Sequence, residues 1–184
     1  FLKSYLITGT SRSGSSGRLA KYYGTSGPAI TIDTACSSSI VAIDMAVQNI
    51  QSKRCESAIA GGVNLLLSSQ IESALQKAGM LSPNGRCATF SADADGYARA
   101  EGLGLLLLKD YDAAIRDGDP ILAVIEATGV AQDGESSSLT APNPLAQQTL
   151  LKEVLARSGR TENDIDAIEM HGTGTPLGDP IELS

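Results

Sequence analysis

Short apolar segments alternate along the chain with segments whose apolar residues recur at helical spacing. The apolar segments are continuous runs, as is typical of strands that are buried on both faces of a sheet. The pattern therefore predicts an α/β protein whose sheet is covered by helices on both sides. The predicted strands span residues 4–8, 29–33, 58–63, 103–108, 121–128 and 167–170.

Helices are predicted where apolar residues recur every three or four positions. After Cys36, the residues Ile40, Ile43, Val47 and Ile50 lie on one face of a helix. Cap residues delimit the others. These helices span residues 69–78, residues 111–116 with Asp110 as N-cap and Gly118 as the end, and the segment from Asn143-Pro144 to Gly159, followed by a capped turn at 161–164.

Cys36 is the first candidate for chemistry, because it lies between a predicted strand and a predicted helix. Its surroundings read Thr31-Ile-Asp-Thr-Ala-Cys36-Ser-Ser-Ser-Ile40. At the start of a helix, unpaired backbone N–H groups and the positive end of the dipole stabilise an anion. They favour the nucleophilic thiolate and can also hold an oxyanion. The alternative is a small buried structural cysteine, and position alone leaves both interpretations open.

His171 is the second candidate, at the end of the last predicted strand. It opens the run His171-Gly-Thr-Gly-Thr175-Pro-Leu-Gly-Asp179-Pro-Ile-Glu182. Glycines allow close approach of a ligand to the backbone, and threonine hydroxyls donate and accept hydrogen bonds without charge. This pattern indicates a surface for a neutral, elongated, polar substrate arm. A surface or packed histidine is the alternative.

Two nucleotide-binding motifs are incomplete. The glycines of residues 172–178 do not have the G-x-G-x-x-G spacing of a dinucleotide fingerprint. Residues 9–15 have the outer spacing of a P-loop, but a serine stands where the motif needs a lysine. Residues 9–15 are therefore predicted to be an ordinary Gly/Ser loop.

A glycine-rich loop over residues 91–102 contains three carboxylates, of Asp93, Asp95 and Glu101. Long loops are candidates for function. The spacing does not fit a calcium-binding EF-hand, and Arg99 lies nearby in the sequence. A structural ion-pair loop is the better prediction.

Composition excludes several classes of function. The 184-residue chain carries a net charge of −7 without a basic cluster, so no nucleic-acid partner is expected. Its longest dense apolar run, residues 103–108, is too short to span a membrane. Cys36, Cys55 and Cys87 form no CxxC pair and there is one histidine, so neither a metal site nor a disulfide framework is expected. Cys55 and Cys87 are predicted to be structural, and a reducing, cytoplasmic location is expected.

Taken together, the motifs closely resemble the β-ketoacyl synthase (ketosynthase) domain of type I modular polyketide synthases. Several independent segments occur in the order typical of that family, over nearly the whole chain. They are Asp33-Thr-Ala-Cys36-Ser-Ser-Ser39, Ala60-Gly-Gly-Val-Asn64, Met80-Leu-Ser-Pro-Asn-Gly-Arg-Cys87, Ala94-Asp-Gly-Tyr97 with Glu101-Gly102, Gln132-Asp-Gly134, Leu139-Thr-Ala-Pro-Asn143 and His171-Gly-Thr-Gly-Thr175-Pro-Leu-Gly-Asp179-Pro180.

The resemblance implies a thiolase-like, layered αβαβα fold, here the N-terminal half and the start of the C-terminal half. It implies that residues 1–184 are a partial β-ketoacyl synthase domain whose C-terminal part is absent. The first residue is Phe1 rather than methionine, so we expect a piece of a longer polypeptide. A homodimer is also implied, with the strand at residues 58–63 at its interface.

The resemblance also implies roles for six residues in polyketide, or related fatty acid, biosynthesis. An acyltransferase of this kind takes an acyl chain from the phosphopantetheine arm of an acyl carrier protein as a thioester, and condenses it with a decarboxylating malonyl-type extender. No cofactor is bound directly. Cys36 matches the acyl-accepting thiol, His171 the histidine that stabilises the enolate, Thr173 and Thr175 the pantetheine-binding hydroxyls, and Asp179 and Glu182 the carboxylates that organise this loop.

Two other classes stay open. One is a non-catalytic partner, such as a chain-length factor or a silent ketosynthase, and the other is a Cys/His acyl hydrolase. A thiolase or a chalcone-synthase-like enzyme is the nearest relative to exclude, and the serine triplet and the HGTGT run speak against both. The family's second histidine and its lysine would lie beyond residue 184, so we expect the isolated chain neither to fold stably nor to condense acyl groups.

Overall fold

The computed structural model describes residues 4–136, 138 and 141–184. They belong to two compact units, one from Phe1–Gly62 with Leu103–Val124 and one from Val63–Gly102 with Ile125–Ser184. No helix within the described ranges has the length and apolar character needed to cross a membrane. The helices are α1 (Leu6–Thr10), α2 (Ser13–Tyr23), α3 (Ser38–Gln51), α4 (Ser69–Lys77), α5 (Tyr111–Asp117), α6 (Pro144–Ser158) and α7 (Gly178–Glu182), and the strands are β1 (Ser57–Asn64) and β2 (Gly102–Lys109).

The sheet of the first unit pairs β1 with β2, and two adjacent glycines in β1 let its neighbours approach closely. A Cβ at Gly61 would overlap the carbonyl oxygen of Gly104 and lie 2.9 Å from the Cα of Leu105. A Cβ at Gly62 would lie 3.0 Å from the Cβ of Ser39, near the start of α3. The backbone of β1 therefore packs directly against β2 and α3, which a strand of larger residues could not do.

The apolar core of the first unit is small. Ile50 of α3, Ala60 of β1 and Ala114 of α5 are the buried apolar residues in the part of the chain that the structure describes. Helix α3 and strand β1 confirm the predicted helix after Cys36 and the predicted strand over residues 58–63, and each places an apolar residue in this core.

Helix α5 begins and ends where its cap residues predict. The carboxylate of Asp110 accepts a hydrogen bond from a backbone N–H of the first turn at 3.2 Å, and Gly118 ends the helix with a left-handed φ of 72°. The ammonium of Lys109 donates to Asp117 at 2.6 Å and to Asp119 at 2.5 Å. The bond to Lys109 holds the pKa of Asp117 below its usual value, and the same bond raises the pKa of Lys109.

Capping also delimits the helices of the second unit. The hydroxyl of Ser68 accepts a hydrogen bond at the start of α4, and Asn143 accepts two backbone N–H bonds, at 3.1 and 3.3 Å, at the start of α6. Gly159 ends α6 in the left-handed region. Thr161 and Asp164 then form a capping box around a single 3-10 turn. The predictions for these three segments are confirmed.

The predicted strand over residues 4–8 is wrong, because this segment enters helix α1. The N–H groups of Gly9 and Ser11 donate to the carbonyls of Tyr5 and Ile7, four residues earlier, at 2.8 and 2.9 Å. A short apolar run has no periodicity that separates a strand from a helix. Local hydrogen bonding therefore decides the conformation here.

Residues 29–33, 121–128 and 167–170 were predicted as strands and are not strands in the structure. Within the described ranges, no partner strand is hydrogen-bonded to them. Their apolar side chains remain accessible, with Leu122 99% and Ile168 68% exposed. Composition favours a strand, but a strand also requires a neighbour with which to exchange backbone hydrogen bonds.

The predicted Gly/Ser loop over residues 9–15 is also wrong, because this segment ends α1 and begins α2. Glycine and serine have low helix propensity, which is why α2 was not predicted. The guanidinium of Arg18 donates to the carbonyl of Thr8 at 2.9 Å and so ties α2 back to α1. A left-handed Gly24 ends α2.

We expect Gly61→Ala to destabilise the protein, because the added methyl would overlap the Gly104 carbonyl oxygen. Overpacking of this kind costs about 1–3 kcal/mol, measurable as a lower thermal unfolding midpoint of the full-length protein that carries this sequence. Gly104→Ala is the matched control, since a Cβ at Gly104 would meet nothing within 4 Å. Equal midpoints for the two variants would contradict the close approach of β1 to β2.

Candidate functional site

Cys36 lies in a 3-10 turn, Ala35–Ser37, that leads directly into α3. The cysteine is exposed. Ala35, immediately before it, has a φ of 55°, a left-handed conformation that costs a residue with a Cβ about 1–2 kcal/mol. The predicted position at the start of a helix is confirmed, although no strand precedes the turn.

Side-chain oxygens hold the backbone around Cys36 in this bend. The hydroxyl of Ser38 accepts the N–H of Thr34 at 2.9 Å and donates to the carbonyl of Ala35 at 2.7 Å. The carboxylate of Asp33 accepts the N–H of Ala35 at 3.2 Å, and the hydroxyl of Ser37 donates to Thr34 at 2.9 Å. These bonds compensate for the unfavourable backbone at Ala35 and present the thiol at the positive end of α3.

The backbone beside His171 is fixed by one carboxylate from α7. Glu182 accepts the N–H of His171 through Oε1 and the N–H of Gly172 through Oε2, both at 2.8 Å. Charge-assisted bonds to two successive N–H groups fix the direction of this segment. The sequence suggests a role for Glu182 only through the family resemblance. In the structure, its carboxylate is hydrogen-bonded to the backbone of His171.

Asp179, also in α7, is almost completely buried, at 4% exposed. Its Oδ1 accepts the N–H groups of Gly174 and Thr175 at 3.0 and 3.3 Å, and its Oδ2 accepts the N–H of Phe90 at 2.7 Å. A buried carboxylate is costly unless such donors surround it. The three backbone donors therefore both stabilise Asp179 and take their own geometry from it.

Thr173 and Thr175 place their hydroxyls side by side. The two Oγ1 atoms are 3.1 Å apart, and that of Thr175 also accepts the N–H of Gly178 at 3.1 Å. Between them Gly174 is buried and left-handed, with a φ of 73°. A Cβ at Gly174 would lie 2.9 Å from the backbone nitrogen of Ala88, so only glycine fits this position.

The loop over residues 87–98 contacts residues 171–175, which we call the strip. The sequence alone does not predict this contact. The hydroxyl of Thr89 donates to the carbonyl of Gly172 at 2.5 Å, and the N–H of Gly96 donates to the carbonyl of Gly174 at 2.9 Å. These partners are far apart in the sequence, and such contacts leave no local signature. The one available signal was the glycine-rich character of residues 91–102.

An open cavity of about 440 Å³ lies beside the strip, within the second unit. Its walls are mostly apolar and include Phe90 and Leu183, and its polar residues are Ser91, Thr175 and Asp179. Asp179 makes three backbone hydrogen bonds, so its carboxylate has a structural role in this wall.

The Gln132-Asp-Gly134 segment fixes the start of α6. The backbone N–H of Asn143 donates to the carboxylate of Asp133 at 3.0 Å. The side-chain amide of Asn143 donates to the backbone carbonyl of Asp133 at 2.9 Å. Leu139 and Thr140, which open the next family motif, lie outside the described residues. Asn143 therefore caps α6 while anchoring the preceding loop.

The predicted ion-pair loop around Arg99 is wrong. Asp95 accepts a bond from the side-chain amide of Asn84 at 2.9 Å, and Glu101 accepts the N–H of Leu66 at 2.6 Å. In the part of the chain described, Arg99 forms no salt bridge with the three carboxylates. The carboxylates of Asp95 and Glu101 are therefore bound by neutral donors rather than by a charged partner.

Cys36 belongs to the first unit, and the other five predicted site residues belong to the second. Within the second unit His171, Thr173 and Thr175 form one strip with Asp179 and Glu182 beneath it. Among the described residues, no three side chains able to bind a metal come together. Of the remaining cysteines, Cys87 accepts a backbone N–H at 3.2 Å, and the structural role predicted for it and for Cys55 stays a prediction.

Comparisons with known proteins agree with the motifs. Residues 2–114 match the family described as "Beta-ketoacyl synthase, N-terminal domain", and residues 122–184 match "Beta-ketoacyl synthase, C-terminal domain". The chain is 53% identical over 182 residues to a phenolphthiocerol/phthiocerol polyketide synthase protein of Mycobacterium tuberculosis, covering 99% of this chain and 8% of that protein. It is 47% identical to the non-reducing polyketide synthase ausA of Emericella nidulans, covering 98% of this chain and 7% of that protein.

Solved structures give the same result for the fold. The oxazolomycin ketosynthase domain OzmH KS7 of Streptomyces albus matches with a TM-score of 0.92 at 43% identity, over 94% of this chain and 31% of that one. The module 6 ketosynthase of the Bacillus subtilis bacillaene synthase matches with a TM-score of 0.93 at 40% identity, over 97% of this chain and 32% of that one.

The chain thus spans less than a tenth of the first polyketide synthases it matches and about a third of these ketosynthases. The expected α/β, thiolase-like fold class is confirmed, with the N-terminal half and the start of the C-terminal half represented. On its two family matches and its identity to ketosynthases of known structure, this chain belongs to the β-ketoacyl synthase family.

Proposed function

We propose that this chain carries the acyl-accepting thiol and the enolate-stabilising histidine of a β-ketoacyl synthase in polyketide biosynthesis. The observation that carries the proposal is the exposed Cys36 on a hydrogen-bonded turn that leads directly into α3. Family membership gives the reaction class, and the strip of residues 171–175 supplies the remaining polar groups.

In the first step the Cys36 thiolate attacks the thioester carbonyl of an acyl group on the phosphopantetheine arm of an acyl carrier protein. The pantetheine thiolate leaves and takes up a proton, so one thioester replaces another. The helix N-terminus stabilises negative charge on the attacking sulfur. The acyl group is then held on the protein while a second carrier brings the extender.

In the second step a malonyl-type extender loses carbon dioxide, and the electron pair of the broken C–C bond becomes an enolate. His171 donates a hydrogen bond to the enolate oxygen, where the charge develops. The carbanion attacks the Cys36 thioester, the C–S bond breaks, and the thiolate is regenerated. Decarboxylation itself generates the carbanion, so the protein needs a well-placed donor rather than a strong base.

The other site residues bind and organise. Thr173 and Thr175 are proposed to contact the amides of the pantetheine arm, since their adjacent hydroxyls can both donate and accept. Asp179 and Glu182 hold the backbone of the strip through four N–H bonds, and Asp179 accepts a fifth from Phe90. Their role is to orient the groups that touch substrate.

We also propose an acyl carrier protein as partner, a homodimer with β1 at its interface, a cytoplasmic location, and residues 1–184 as part of one ketosynthase domain. The chain spans about a third of the solved ketosynthases that it matches. The purified 184-residue chain is accordingly expected to show no condensation, and the activity tests use the full-length protein that carries it.

Incubation of the full-length protein with a labelled acyl carrier substrate should place the acyl group on Cys36, because this thiol is exposed at a helix start. Peptide mass spectrometry locates the label. Cys36→Ala should abolish it, while the matched controls Cys55→Ala and Cys87→Ala should retain it. A label on Cys55 or Cys87 in the wild-type protein would overturn the assignment, and release of free acid without condensation would favour an acyl hydrolase.

Asp179→Asn should impair decarboxylation of the extender, because an amide replaces one of the carboxylate oxygens that accept backbone N–H groups. Leaving buried donors without an acceptor costs about 1–3 kcal/mol, so we expect a lower unfolding midpoint and slower release of carbon dioxide. The exposed Asp166→Asn is the control. Wild-type behaviour of the Asp179 variant in both measurements would contradict its organising role.

A further inference from the structure

Gly172, the residue after His171, is hydrogen-bonded through both its N–H and its carbonyl. Its N–H donates to Glu182 at 2.8 Å, and its carbonyl accepts the hydroxyl of Thr89 at 2.5 Å. Its φ of 55° is left-handed. A glycine can rotate away from such a conformation at little steric cost. Contacts from outside the strip are therefore needed to keep Gly172, and the histidine before it, in one orientation.

Thr89 restricts Gly172 through its methyl group as well as its hydroxyl. A Cβ at Gly172 would lie 2.7 Å from Cγ2 of Thr89 and 3.7 Å from its Oγ1. The side chain therefore covers one face of Gly172 at van der Waals distance. One end of this β-branched side chain is polar and the other apolar, and both meet the same residue.

The loop that carries Thr89 is itself held at two points after this residue, by Asp179 and by the carbonyl of Gly174. The next residue, Phe90, has an unfavourable φ of 56° and donates its N–H to the buried Asp179 at 2.7 Å. Further along, Gly96 donates its N–H to the carbonyl of Gly174 at 2.9 Å. Because a strained backbone persists only where surrounding bonds hold it, Thr89 is presented to Gly172 from a fixed position.

We propose that Thr89 is a positioning residue for His171. Its hydroxyl and methyl fix the carbonyl side of Gly172, while Glu182 fixes the N–H side, so the histidine backbone cannot rotate about the glycine. This inference rests on the proposed function, in which His171 acts on the enolate oxygen. It follows that Thr89 matters for decarboxylation of the extender and not for transfer of the acyl group to Cys36.

The expected size of the effect follows from one neutral hydrogen bond. Such a bond contributes little more than a factor of about three to ten in a rate or equilibrium. Thr89 is exposed, so water can partly replace its hydroxyl, which keeps the effect in this range. Thr89→Val keeps the shape of the side chain and removes the donor, whereas Thr89→Ser keeps the donor and removes the methyl.

The test compares these two variants with wild type in the full-length protein. Carbon dioxide release from a malonyl carrier substrate and acylation of Cys36 are measured separately. Thr149→Val is the matched control, because the hydroxyl of Thr149 donates to the carbonyl of Leu145 at 2.8 Å within α6. We expect Thr89→Val to lower carbon dioxide release about three- to tenfold with Cys36 acylation unchanged, and Thr89→Ser and Thr149→Val to resemble wild type.

A Thr89→Val protein that releases carbon dioxide at the wild-type rate would overturn the proposal. So would one in which Cys36 acylation falls by the same factor as carbon dioxide release. A wild-type protein that acylates Cys36 without releasing carbon dioxide would instead contradict the proposed function. Positioning is then judged from carbethoxylation of His171 by diethyl pyrocarbonate, followed by peptide mass spectrometry. A carbethoxylation rate of His171 that is altered in Thr89→Val alone supports the positioning role of Thr89. Equal carbethoxylation rates in wild type and the three variants overturn it.

Discussion

The buried carboxylate of Asp179 joins two segments that are far apart in the sequence, by accepting N–H bonds from Phe90, 89 positions away, and from Gly174 and Thr175 nearby. Backbone donors buried without an acceptor are costly, so the segments retain their conformations only while this group is present. Helix α7 has only five residues, yet it supplies both Asp179 and Glu182. Because residues three apart lie on one side of a helical turn, a single turn can organise the whole strip at His171.

Cys36 in the first unit depends on the same kind of interaction on a smaller scale. The hydroxyl of Ser38 and the carboxylate of Asp33 bond to the backbone around Ala35 and hold its left-handed conformation. In both places side-chain oxygens satisfy backbone groups locally, so each of the two proposed reactive residues is presented on a defined backbone. Rigid presentation of a nucleophile and of a charge-stabilising donor is the requirement that thioester chemistry places on a protein.

The elements that were predicted correctly have signals within a few residues of themselves. Asp110 and Gly118 delimit α5, and Asn143 and Gly159 delimit α6, because caps act on the turn beside them. The predictions of strands over residues 121–128 and 167–170 are wrong for the opposite reason, because the backbone pairing of a strand depends on a neighbour that is distant in the sequence. Helix α2 was missed because glycine and serine favour loops when considered residue by residue.

The candidate site divides in the same way. Cys36 and His171 are proposed from the sequence because each lies in a compact local motif, and Asp179 and Glu182 are proposed from the family resemblance. Thr89 was not found, because its partner Gly172 lies 83 positions away. Its role depends on a contact that the fold creates, and no propensity or spacing rule describes such a contact.

The proposed division of labour is that Cys36 holds the acyl group and His171 stabilises the enolate. It is tested most directly by single-turnover kinetics of the His171→Ala variant of the full-length protein, with Cys36 acylation and carbon dioxide release recorded in the same reaction. This division of labour predicts acylation at close to the wild-type rate and carbon dioxide release slower by about a hundredfold or more, the usual effect of losing such a catalytic group. Carbon dioxide release at the wild-type rate, or loss of acylation alone, would contradict it.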